Sequence, residues 1–148
     1  VIWFKLVGAT DKLMPQNWVE DRAGLLTKIH FPRNKRPIKL SNGERVILYA
    51  VGHKALVATQ TVKDTHGASK KRHGPPGSDA YRWPWELDVT THYYCSPIKD
   101  APLLRDVAPG FVAHYAGKFW EGSHWDIEEP EYELLAAAIE TAGRRYDP

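Results

Sequence analysis

Hydrophobic and polar positions along this chain fall into short blocks of differing period. Val1 to Val7 is a strand-like apolar run that stops at Gly8. Met14 to Ile29 carries an imperfect helical stripe of Trp18, Ala23, Leu25, Leu26 and Ile29. It predicts a helix, with Pro15 suited to a first turn and Asn17 to a cap for a slightly later start. A basic connector from His30 to Leu40 follows, kept extended by Pro32 and Pro37.

The turn Ser41-Asn42-Gly43-Glu44 leads into Arg45 to Ala50, a strand apolar enough for burial on both faces. Gly52-His53-Lys54 then makes a short connection to the β-branched run Ala55 to Val62, which predicts a hairpin. Asp64 to Ala80 reads as a long basic loop, and Tyr81 to Tyr94 as a long strand bent at Pro84. Strand alternation puts Trp83 and Trp85 on one face of that strand and Arg82 on the other.

Pro102 to Val107 predicts one helical turn. Gly110 to Ile127 is irregular, with Phe111, Tyr115, Phe119, Trp120 and Trp125 supplying core. The clearest element comes last: Glu128-Glu129-Pro130-Glu131 opens a helix that buries Leu134, Leu135, Ala138, Ile139 and Ala142 and closes at Gly143. The order of elements predicts an α+β domain around a small, strongly bent sheet.

Composition narrows this. A chain of 148 residues, 43% hydrophobic and 26% charged, suits one domain spanning 1–148. The single cysteine, Cys95, excludes a disulfide framework. With His92 it forms only an H-x-x-C fragment, too little for a zinc site, so no metal or cofactor is expected. No apolar run approaches the length of a membrane-spanning helix and no signal peptide opens the chain, so a cytoplasmic location off the membrane is expected. The first residue is Val rather than Met, as in a domain cut from a longer chain.

Charge changes the picture more. The formal net charge is only +2, yet residues 1–82 hold 15 Lys and Arg against 6 Asp and Glu, whereas residues 83–148 hold 5 against 12. A net +9 beside a net −7 points to a polyanion-binding face next to an acidic one suited to protein docking.

Four segments resemble EVE domains. Asn42-Gly43-Glu44-Arg45-Val46-Ile47-Leu48-Tyr49-Ala50 is similar to the family's "G-D-x-V-hydrophobic-Phe/Tyr-Tyr" strand. Ala55 to Val62 is similar to the strand that follows it there, with Ala58 in place of a frequent glycine. Tyr81-Arg82-Trp83-Pro84-Trp85-Glu86-Leu87-Asp88-Val89 resembles the "Tyr-Pro-Trp" strand, and Gly122-Ser123-His124 with Ile127 to Tyr132 resembles the approach to the last helix. The first strand keeps Trp3 and Lys5 of the family's "W-L-x-K-S-E-P", with Gly8-Ala9-Thr10 near where Ser-Glu-Pro is usual.

EVE domains belong to the PUA-like superfamily together with YTH domains. The resemblance therefore implies a small bent β-barrel of five or six strands flanked by helices. It also implies a non-catalytic reader of a methylated or hydroxymethylated base in DNA or RNA, cytosine first, with the base flipped into an aromatic cage.

On that reading the ring candidates are Phe31, Tyr49, Tyr81, Trp83 and Trp85. Relatives imply one cage wall at Ile29-His30-Phe31, a second at Tyr81 to Trp83, and base-edge contacts from Thr10 and Asp11. Trp3, Trp18, Trp120 and Trp125 are assigned to packing. A phosphate clamp would draw on Arg33, Lys35, Arg36 and Lys39 from the connector and on Lys70, Lys71, Arg72 and Arg82 from the long loop and its end.

Three rival functions stand beside this one. The chain can be the specificity domain of a modification-dependent restriction or RNA-processing system, with a nuclease or AAA-type partner domain. It can be a metal-independent ribonuclease using His30, His53, His66, His73, His114 or His124, although no two of these form a diagnostic motif. A pure protein-interaction domain leaves the basic loops unexplained.

Overall fold

The computed structural model describes residues 1–21 and 23–148, the side chains at positions 23 and 121 excepted. Seven strands form one sheet: β1 (Ile2–Val7), β2 (Lys28–Phe31), β3 (Arg45–Ala50), β4 (Ala55–Asp64), β5 (Trp85–Tyr94), β6 (His124–Ile127) and β7 (Arg144–Arg145). Six lie in the order β2-β5-β4-β3-β1-β6, and β7 pairs with β5 beyond the end of β2. Among the described strand pairs only β1 and β3 run parallel.

Bulges between Leu48 and Tyr49, between Thr59 and Gln60 and between Val62 and Asp64 sharpen the twist of the central strands. The sheet curls until its two ends touch: the ring of Phe31 on β2 meets that of His124 on β6 at 4.8 Å. The result is the expected PUA-like α+β fold, a curled half-barrel flanked by helices.

The helices are short except the last: α1 (Trp18–Asp21), α2 (Asp79–Arg82), α3 (Leu104–Val107), α4 (Phe111–His114), α5 (Ala116–Glu121) and α6 (Glu129–Ala142). None of the described helices is long and apolar enough to cross a membrane. At the start of α6 the Glu131 carboxylate turns back to accept from the Glu128 amide at 2.9 Å and from the Tyr115 hydroxyl at 2.6 Å. The helix packs Leu135 and Ile139 onto the sheet. Leu134 and Ala142, expected inside, are exposed, because the inward stripe runs through residues 132, 135, 136 and 139.

Three further expectations change. The helix over 14–29 is instead α1, a 3-10 turn (Ala23–Leu26) and strand β2, with position 22 outside the described residues. Apolar positions three and four apart are satisfied here by two helical turns whose residues Trp18, Leu25 and Leu26 still face the core. The strand expected from Tyr81 begins only at Trp85. Ser78 Oγ accepts from the Tyr81 amide at 3.2 Å and starts α2, and Pro84 separates that turn from β5. Trp83 and Trp85 therefore do not share a strand face. The irregular stretch over 110–127 resolves into α4, α5 and β6.

Trp120, expected to pack in the core, is 90% exposed, because its neighbour Phe119 takes the inward position of α5 against Phe4, Tyr49 and Trp125.

Candidate functional site

A cavity of about 210 Å³ opens where β1 ends, lined by Lys5, Leu6, Val7, Gly8, Gly24, Leu25, Ile29, His30, Arg72, Asp79 and Trp83. An apolar cavity of roughly 150 Å³ already accepts benzene, so a substituted pyrimidine fits by volume. Gly8 helps to shape the opening. Its φ of +83° carries β1 into the turn closed by Ala9 and Lys12, a conformation that disfavours any side chain.

Trp83 is held at its backbone. Its amide donates to the Asp79 carbonyl at 2.8 Å, and its carbonyl accepts from Arg72 Nη2 at 2.7 Å. Arg82 lies 4.6 Å and Lys12 5.7 Å from its ring centre. Arg82 also pairs with Asp11 at 3.0 Å, and Lys12 pairs with Asp79.

His30 sits within a charged cluster on β2 and β5. Its Nε2 lies 2.7 Å from Glu86 Oε2, so that nitrogen carries the proton. Lys28 and Arg72 approach the same carboxylate at 3.4 and 3.6 Å. Burial lowers the His30 pKa against the pull of Glu86. Burial works to raise the Glu86 pKa, but His30, Lys28 and Arg72 outweigh it and hold the carboxyl below its usual value.

Lys5 is the residue that sequence reasoning left out of the site. It lies in β1, only 3% exposed, and donates from Nζ to the Leu6 carbonyl. Nζ stands 4.8 Å from the centre of the Phe31 ring. Desolvation pulls its pKa down to about 7. Period-2 alternation was the available signal, since it places Lys5 on the same strand face as buried Trp3. His124 is neutralised by the same surroundings: burial, then Lys5 and Lys35, push its pKa to about 4.

The other ring candidates divide. Phe31 is fully buried and does not line the cavity; its ring meets Lys5 and His124 instead. Tyr49 is a core residue, packed at 5.4 Å on Phe4 and 5.5 Å on Phe119 rather than on the cavity. Tyr81 and Trp85 stand outside the cavity on the basic rim. Arg33 covers Tyr81 at 4.2 Å, and Arg36 and Lys71 approach Trp85 at 5.3 and 6.0 Å. Thr10 and Asp11 occupy the exposed tip of the turn after β1, with Asp11 held by Arg82.

The two basic segments do meet at one end of the barrel. Arg36 Nε donates to the Ala68 carbonyl at 2.6 Å, Arg33 Nη1 to the Tyr81 carbonyl at 3.3 Å, and Trp85 Nε1 to the Arg33 carbonyl at 3.2 Å. Gly67 permits this approach, because a Cβ there would lie 1.6 Å from the Glu86 carbonyl oxygen. Arg72 is turned inward onto Trp83 and Glu86, whereas Arg33, Arg36, Lys39 and Lys70 are exposed and Lys35 and Lys71 half-buried.

No sequence-family profile and no curated protein sequence matches the chain. Solved structures do match. The DUF55 domain of human thymocyte nuclear protein 1 is 14% identical with a TM-score of 0.54, over 95% of this chain and 99% of that one. Protein Atu2648 from Agrobacterium tumefaciens is 15% identical with a TM-score of 0.53, over 99% of both chains. The Mmi1 YTH domain is 10% identical with a TM-score of 0.51, over 95% of this chain and 96% of that one. From its curled sheet to its closing helix, the chain thus has the PUA-like fold that DUF55 (EVE) and YTH domains share.

Proposed function

We propose that this chain is a non-catalytic reader of a modified base, a methylated or hydroxymethylated cytosine in DNA or RNA, held in the cavity beside Trp83. The observation that carries the reading is that cavity together with the basic rim of Arg33, Arg36 and Lys71 on Tyr81 and Trp85, with Lys35 near His124. The fold shared with DUF55 and YTH domains supports it.

The base would slide against the Trp83 ring with His30 across the cavity, Leu25 and Ile29 closing the apolar wall. Stacking on a ring contributes about 1–3 kcal/mol per base and extraction from a helix costs a few. Phosphate contacts must therefore supply much of the affinity. Seated on the protein, the rim cations also draw the backbone across Tyr81 and Trp85.

Fluorescence-anisotropy titration of oligonucleotides bearing cytosine, 5-methylcytosine, 5-hydroxymethylcytosine or N6-methyladenine, single- and double-stranded, tests the reading. A preference for a modified base is expected. Trp83→Ala should weaken binding roughly 5- to 150-fold, with a melting temperature close to the parent, since Trp83 is only half-buried. Equal affinity for all bases would sink the reading, and a Trp83→Ala chain that unfolds would make Trp83 a core residue.

The rim makes a separate prediction. Log affinity should fall linearly with log salt, by about 0.7 log units per tenfold rise in salt for each contacted phosphate of a single strand. Replacing Arg33, Lys70 and Lys71 by Gln should flatten that slope by about 2. An unchanged slope would move the phosphates elsewhere.

A further inference from the structure

We infer that Lys5 reads an oxygen acceptor on the inserted base, so that the cavity favours oxidised 5-substituents of cytosine, carboxyl above hydroxymethyl above methyl. The inference rests on the reading above and specifies the chemistry of its ligand.

Its basis is an unmatched donor in a closed place. Lys5 lines the cavity and is 3% exposed, yet no carboxylate pairs with it among the described residues. An ammonium group has three N–H donors, and the Leu6 carbonyl, itself on the cavity wall, takes one. Among the described residues, the groups around it offer no counter-charge. Phe31 and His30 face it from β2 and His124 from β6, and burial lowers the pKa of both imidazoles, that of His124 to about 4. Arg72 adds a further positive charge at the cavity wall.

The nearby acids are already engaged. Glu86 is held by His30, Lys28 and Arg72, and the cavity's own carboxylate, Asp79, is paired with Lys12. A buried ammonium without a partner is costly, and an acceptor delivered by the ligand removes that cost. A methyl group cannot do so. A hydroxymethyl oxygen accepts one hydrogen bond, and a carboxylate accepts with charge as well. Nothing needs to move far, because Nζ is already fixed at the wall by Leu6.

The test adds 5-carboxylcytosine to the titration of otherwise identical single-stranded oligonucleotides, with parent and Lys5→Met chains. In the parent, 5-carboxylcytosine should bind about tenfold more tightly than 5-methylcytosine or better, with 5-hydroxymethylcytosine between them. In Lys5→Met the carboxyl-to-methyl ratio should fall to near one. Methyl binding as tightly as carboxyl in the parent overturns the inference without any variant. A carboxyl preference that survives Lys5→Met overturns it as well. Methylcytosine preferred over cytosine with no gain from oxidation defeats this inference alone, whereas indifference to every modification defeats the reader reading with it.

Discussion

Lys5→Met is expected to stabilise the fold at acid and neutral pH, and to lose that advantage as the pH is raised. Burial depresses the Lys5 pKa from 10.5 to about 7. Below pH 7 the folded chain must bury a charge that the unfolded chain hydrates freely. Between pH 7 and 10.5 the unfolded chain holds the proton and the folded chain has released it, so stability rises with pH across that window. At about 1.4 kcal/mol per pKa unit, the full penalty is on the order of 5 kcal/mol. Methionine fills the same space without the charge, a replacement that is often stabilising at buried ionic positions.

Urea unfolding of both chains at pH 6, 8 and 9.5 measures the gap. It should be several kcal/mol at pH 6 and shrink steadily toward pH 10. A gap that is independent of pH, or a less stable variant at pH 6, would show that Lys5 is not the strained group. A residue that destabilises the empty fold yet faces the cavity fits a site kept for binding at some expense in stability.

How far such features could be seen in the sequence depended on whether the signal was local. Strands β1, β3 and β4 and helix α6 are each long enough to show their own period, and the β3–β4 hairpin needed only its short connection. Strands β2 and β6 are four residues each, and they exist because β5 and β1 offer them partners far along the chain. Nothing within Lys28–Phe31 distinguishes a strand from the end of the helical stripe before it.

The same division runs through the site. Trp83 lines the cavity and was singled out because the basic loop beside it is local, whereas His30, which also lines it, was placed there only through the family resemblance. Phe31 and Tyr49 were not legible, since whether a ring faces a cavity or a core is decided by packing partners such as His124 and Phe119. Lys5 was missed because a lysine in a strand is normally a surface residue, and only the curling of β6 and β2 over it makes it internal.

Phe4→Ala is expected to cost about 3–5 kcal/mol, a large share of the 5–15 kcal/mol typical of a domain. Phe4 has no exposed surface and its ring lies 4.9 Å from both Phe111 and Trp125, 5.4 Å from Tyr49 and 5.8 Å from Phe119. It joins β1 to β3, β6, α4 and α5 at once, so its removal leaves a void bounded by rings that cannot all close in. Each of those aromatic pairs is worth about 0.5–1.5 kcal/mol beyond the area it buries, which makes collapse of the site costly too.

Thermal unfolding followed by tryptophan fluorescence should show the loss, and a drop of under 1 kcal/mol would mean the cluster repacks around the gap. Phe4 and Lys5 are consecutive residues on one strand and so face opposite ways, one into the aromatic cluster and the other toward the cavity. The penalties should therefore arise separately. At pH 6, Lys5→Met introduced into Phe4→Ala should restore much of the lost stability, whereas near pH 10 it should restore little, because only the charge on Lys5 depends on the proton.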